Sequence, residues 1–292
     1  MSIPTFKEWK KVEGYDFDDV IYEKRYRETG GVARMTINRP ESLNAFTGNT
    51  IRHLWECVFD INMDPSIGVV ILTGAGDKAF CTGGDVESEA EGEFEDSIFV
   101  NCNKLILECR VPIIAVVKGW CVGGGHHMAY CCDFTIAADN ARFAQNGPRI
   151  GSPAGGWPVQ YSIRVLGAKR ARELWMLCRR YSAQEALEMG LVNTVVPLSN
   201  IDEEVDRWCD EILEKSPTCI KVLKAAFDDE FNQLRSAEAF STQRRMYPDF
   251  MDSDEQREAQ NAFLEKRTPD FLQFREKDYD EYLKNRRRIR MR

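Results

Sequence analysis

Residues 111 to 127 read VPIIAVVKGWCVGGGHH. An apolar run rich in β-branched residues ends in a cluster of glycines, and a helical pattern begins near Gly125. That order describes a buried strand delivering its chain into a tight turn and then a helix. The same arrangement occurs upstream, where IGVVILTGAG (67–76) precedes AFCTGGD (79–85). Glycines at such junctions let the backbone approach a ligand closely, and the first N–H groups of the following helix have no partner within it. Those N–H groups can meet developing negative charge.

Working outward, short apolar runs alternate with helical patterns. VARMTINRP (32–40) is followed by an amphipathic stretch from Asn49 to Asn62, then by IGVVILTGAG, a helix near Ile98 to Cys109, the 111–125 run, and CCDFTIAAD (131–139). The alternation predicts an α/β core with largely buried strands. From about Ala168 the pattern turns helical: AKRARELWMLC (168–178), SAQEALEMG (182–190) with a serine N-cap and a glycine stop, and NIDEEVDRWCDEILEKSP (200–217). No internal repeat of fixed period is legible.

The 292 residues are 43% hydrophobic and 29% charged, with a net charge of −8. The length suits one sizeable core, and the acidic balance argues against nucleic acid or an anionic membrane as partner. The first residues lack the apolar core of a signal peptide, and no apolar run reaches the roughly 18 residues of a membrane span, so a cytoplasmic protein is expected. Ten cysteines sit mostly in apolar segments and read as free thiols in a reducing compartment. Without a C-x-x-C pair, and with three histidines, no metal site is expected. The acidic run VESEAEGEFEDS (86–97) reads either as a solvated loop or as a lid over a neighbouring site. The basic end LKNRRRIRMR (283–292) reads either as a frayed tail or as a phosphate contact.

NRPESLNAF (38–46), AFCTGGD, GWCVGGG and CDFTIAAD together resemble the crotonase, or enoyl-CoA hydratase/isomerase, superfamily from about Val20 to Phe271. The resemblance implies a crotonase fold: an α/β spiral of ββα units with a helical C-terminal region, assembled as trimers or hexamers. It divides the chain into an N-terminal extension (1–19), a spiral core (20–214), a helical region completing the site and the trimer (215–271), and a charged tail (272–292). It also implies an acyl-CoA substrate whose thioester oxygen lies between the N–H groups of Gly84 and Gly124. Coenzyme A, as part of the substrate, would bend over Arg39, Asn44, Ala45, Phe46, Ala79 and Cys81, with no tightly bound cofactor. Within the superfamily, QNGPRIGS (145–152), residues 167–197 and NAFLEKRTPDF (261–271) are most similar to the branch of 1,4-dihydroxy-2-naphthoyl-CoA synthase and 2-ketocyclohexanecarboxyl-CoA hydrolase. In that branch the C-terminal helices cross to a neighbouring subunit, which would bring Phe263 and Lys266 to the nucleotide. Bicarbonate is there a candidate occupant of an anion site, here Gln145, Asn146, Gly147 and Trp175, although Trp175 also reads as core.

The departures bear on the reaction. The two glutamates of enoyl-CoA hydratases are matched by His127 and Gly147, so two-carboxylate hydration is not expected. GSPAGG (151–156) places Ala154 where the synthase has an aspartate, and Met251 stands at its tyrosine, with Tyr247 close by. Alanine cannot move a proton. The loss resembles 6-oxocyclohex-1-ene-1-carbonyl-CoA hydrolase, which opens a ring with water. Ser152 is retained and could hold a substrate carbonyl or hydroxyl. His127 reads either as an acid or base, from an ordinary pKa near 6.5, or as a packed core residue. Cys81 and Cys121 have no base paired with them in sequence and read as packing residues. The leading expectation is a hydrolase or hydratase of a cyclic, alicyclic or aromatic-derived acyl-CoA. A ring-closing synthase and a catalytically silent scaffold binding CoA, protein or RNA are the alternatives.

Overall fold

The computed structural model describes residues 6–85, 106–152, 157–232 and 247–274, together with positions 88, 103, 104 and 277. Apart from position 88, the acidic run 86–97 lies outside the described residues, as do Ala154, the tail 283–292 and half of the helix expected near Ile98 to Cys109.

The strands are β1 (Phe6–Lys11), β2 (Val20–Arg27), β3 (Gly30–Ile37), β4 (Ile67–Gly74), β5 (Ala79–Cys81), β6 (Ile113–Val117), β7 (Trp120–Val122), β8 (Phe134–Ala138), β9 (Arg142–Ala144), β10 (Arg180–Ser182) and β11 (Thr194–Val196). The helices are α1 (Gly48–Met63), α2 (Gly124–Cys131), α3 (Gly147–Ile150), α4 (Trp157–Leu177), α5 (Ala183–Glu188), α6 (Ile201–Leu213), α7 (Pro217–Asn232) and α8 (Asp254–Leu264). A large sheet runs β1-β2-β3-β4-β6-β8-β11, and a small one β10-β9-β7-β5. Pairing is antiparallel from β1 to β3 and parallel from β3 to β11. Residues 6–11 of the expected N-terminal extension thus form the edge strand of the large sheet.

The spiral arises because each apolar run breaks into two strands. The run from Ile113 forms β6 in the large sheet, turns at Gly119, and forms β7 in the small one. Gly119 has φ 61°, and a Cβ there would stand 2.0 Å from the Lys78 carbonyl oxygen, so only glycine fits this corner. β4 and β5 repeat the pattern, as do β8 and β9. The large sheet is covered on one face by α1 and α2 and on the other by α6, with Ile201, Val205 and Cys209 against Val69, Ile71 and Ile114.

The long elements follow their sequence patterns. Thr47 caps α1 in a reciprocal capping box with Thr50, and Ile51, Leu54, Cys57, Val58 and Ile61 form its buried stripe. Ser182 caps α5 in the same way with Glu185, and Gly190, at φ 74°, follows its end. α4 is broken at Gly167, whose φ of 73° and ψ of 157° are non-helical. α8 packs on its own chain, where Gly151 faces Gln256 and Ala259; a Cβ at Gly151 would stand 2.8 Å from that of Ala259.

Candidate active site

β5 and β7 are parallel neighbours, with Ala79 opposite Trp120 and Cys81 opposite Cys121. Their carboxyl ends therefore open side by side, where ligands bind in α/β sheets. Beyond β5, the Phe46 N–H donates to the Gly83 carbonyl and the Asp85 N–H to the Phe46 carbonyl, both at 2.9 Å. That parallel bridge turns the Gly84 N–H away from Phe46, toward the cavity that Gly84 lines. Beyond β7, Gly124 is the first residue of α2, so its N–H has no acceptor in the helix. A carbon added at Gly83 would stand 3.2 Å from the Gly124 nitrogen, a measure of how closely the two turns approach. Among the described residues no backbone acceptor meets either N–H. Gly125 lets α2 press onto β5, since a Cβ there would lie 2.3 Å from the Cys81 carbonyl oxygen. Two convergent donors at a helix terminus can stabilise an oxygen that becomes negative.

The cavity above them has a volume of about 670 Å³. Its lining includes Gly84, Gly124, His127, Ser152, Ala45, Gln145, Asn146, Gly147 and Phe263 among the residues expected from sequence. Asn44, Phe46, Ala79 and Cys81 lie beneath it rather than in its lining, because their side chains are spent on the scaffold. Asn44, 1% exposed and at φ 57°, donates to the Ala75 and Ala79 carbonyls (3.0 and 2.7 Å) and accepts from the Arg39 N–H (3.0 Å). Arg39 clamps the same loop, donating to the Ala45 carbonyl at 2.5 Å and to Asp85 at 2.9 Å. Lys266 is exposed outside the lining.

His127 is 6% exposed, its ring 5.1 Å from that of Trp175. Desolvation, assisted by the adjacent His126, pushes its pKa down to about 3, so the ring is neutral at neutral pH instead of titrating near 6.5. Gly147 has no room for a carboxylate: a Cβ there would meet the Ser152 carbonyl oxygen at 2.6 Å. Ser152 is held nearby through its N–H to the Gly147 carbonyl, 3.0 Å away. The anion site expected from Gln145, Asn146, Gly147 and Trp175 is not assembled as a set. The Trp175 indole donates to the Ser162 hydroxyl at 3.0 Å and lies outside the cavity lining, so these residues do not fit a bicarbonate held by all four.

Sequence reasoning missed Trp120, Arg149, Cys178, Arg180 and Leu264, all of which line the cavity. Arg180 is placed by the register of β10 on β9, where it stands opposite Ala144, and the three residues of β10 carry no sequence signal of that register. Among the described residues no group of three or more His, Cys, Asp or Glu side chains could hold a metal ion. Nor is any described helix long and apolar enough to cross a membrane.

This spiral, with two glycine turns facing one cavity, defines an acyl-CoA enzyme of the crotonase superfamily. The Enoyl-CoA hydratase/isomerase family matches residues 27–275, and the chain belongs to that family. Among solved structures, an enoyl-CoA hydratase/carnithine racemase from Magnetospirillum magneticum is 30% identical, with a TM-score of 0.68 over 88% of this chain and 96% of that one. An enoyl-CoA hydratase from Mycobacterium avium subsp. paratuberculosis K-10 is 26% identical, with a TM-score of 0.74 over 86% and 98%. One from Bacillus anthracis is 29% identical, with a TM-score of 0.67 over 86% and 98%.

Proposed function

We propose that this chain is a hydrolase or hydratase of a cyclic acyl-CoA, adding water or cleaving a ring carbon–carbon bond through a thioester enolate held by Gly84 and Gly124. The observation that carries the reading is the pairing of a retained donor site with the loss of both hydratase carboxylates. Position 127 holds a buried neutral imidazole, and position 147 admits no side chain.

Ring opening needs what remains. Water adds to a ring carbonyl β to the thioester, and the bond between that carbon and the α-carbon breaks. Its electron pair passes to the thioester oxygen, where the two N–H groups stabilise the enolate. The α-carbon then takes a proton, and the former ring carbonyl leaves as a carboxylic acid. Ser152, in the lining, can orient the carbonyl or the water by hydrogen bonding. The active form is a homotrimer or homohexamer in the cytoplasm, with coenzyme A entering as part of the substrate.

Mass spectrometry of products formed from cyclic and aryl-substituted acyl-CoA thioesters in heavy-oxygen water tests the reading. Label in a ring-opened or hydrated product is expected. Absence of label with every ester, despite CoA binding, would overturn it in favour of a condensing enzyme or a silent scaffold.

A further inference from the structure

Two arginines of the cavity lining have no part in the chemistry above. Val122 pairs with Ala144, and Ala144 with Arg180, so the three stand in one row across the small sheet. With strands about 4.8 Å apart, Arg180 begins about 10 Å from Val122, which lies two residues before Gly124. The Arg180 guanidinium sits over the Trp120 ring, 5.3 Å from its centroid. Arg149 approaches from α3 and bonds to Cys178, where its charge opposes the upward pull of burial on the thiol. Both arginines line the cavity with exposed side chains, and Arg149 touches Cys178, two residues before Arg180.

Neither has a carboxylate partner among the described residues. Asp85 in the lining is taken by Arg39 at 2.9 Å, and Glu41, also in the lining, pairs with neither arginine. Unpaired guanidiniums facing a cavity recognise anions, and their planar fork matches a carboxylate.

We propose that Arg149 and Arg180 bind a carboxylate at the end of the acyl group remote from the thioester, so that the ligand class is an acyl thioester bearing a terminal carboxylate. The assignment rests on Gly84 and Gly124 marking the thioester end. It also matches water-driven ring opening, in which the ring carbonyl becomes a carboxylic acid that ionises at neutral pH. The phosphates of coenzyme A are the other source of a suitable anion.

Calorimetric binding of two matched ligands tests the proposal: the CoA monothioester of a straight-chain dicarboxylic acid, and the same thioester with its free acid capped as a methyl ester. The wild-type protein is expected to prefer the free acid by about 10- to 100-fold, the range of hydrogen bonds between charged groups. R149Q and R180Q should each lower that preference toward unity while shifting methyl-ester affinity by less than about threefold. The preference should persist in pantetheine thioesters, which lack the nucleotide and its phosphates. No preference in the wild type, or equal losses for both ligands in the variants, would overturn the proposal; equal losses would assign the arginines to the CoA phosphates. The wild-type comparison depends on no variant folding. A carboxylate preference without labelled product would overturn the water-addition reading alone, and labelled product without the preference would overturn this one alone.

Discussion

His126 and His127 stand side by side near the start of α2, and burial pushes their pKa values down to about 4 and about 3. Both lie below the ordinary 6.5, so the folded protein refuses protons that the unfolded chain accepts. Between pH 6.5 and about 4 the unfolded state binds more protons, and stability must rise with pH through that window. Lowering the pH from 7 to 5 should remove at most about 2 kcal/mol for each histidine. Urea unfolding at those two pH values measures the loss, and H127Q should abolish about half of it. Equal wild-type stability at pH 7 and 5 would show that the rings are not held neutral. The neutral ring is also why the chemistry above rests on backbone donors: an imidazole whose pKa is about 3 is a poor proton acceptor.

At the scale of single elements, the N-terminus of α2 is where sequence and chemistry meet. Gly124 occupies the first helical position, where proline is tolerated because its missing N–H has no helical acceptor in any case. G124P should therefore leave the helix in place and remove one donor, lowering kcat by about 100- to 1000-fold with little change in melting temperature. An unchanged kcat would remove Gly124 from the reaction. The glycines and the long patterned elements β3, β4, α1 and α5 were legible because periodicity, capping residues and glycine clusters are local signals. The three-residue strands β5, β7, β9 and β10 were not, since three residues carry too little alternation and the paired runs read as single strands. The cavity lining was hidden for the same reason. Whether Arg180 faces a ligand depends on its row across β10, β9 and β7, and whether Asn44 touches one depends on the carbonyls of Ala75 and Ala79 that occupy it.

For the whole molecule, α7 shows what a single chain leaves uncovered. Its buried side chain among those described is Lys224, which donates to Asp133 at 2.6 Å, while Asp133 also accepts from the Ile113 N–H at 2.8 Å. That ion pair fixes the helix with Val222, Leu223 and Phe227 turned outward, at 62%, 55% and 69% exposed. Met176 and Leu177 at the end of α4 are likewise exposed. Apolar surface of this kind on a chain of net charge −8 supports the proposed homotrimer or homohexamer. Sedimentation should therefore give three or six chains, and F227E should shift the particle toward a single chain without altering the circular dichroism. A wild-type protein that sediments as one chain would overturn the assembly. Because Phe263 and Leu264 close the cavity of their own chain, the dissociated variant should still bind coenzyme A thioesters. Loss of binding on dissociation would instead mean that a neighbouring subunit completes the site.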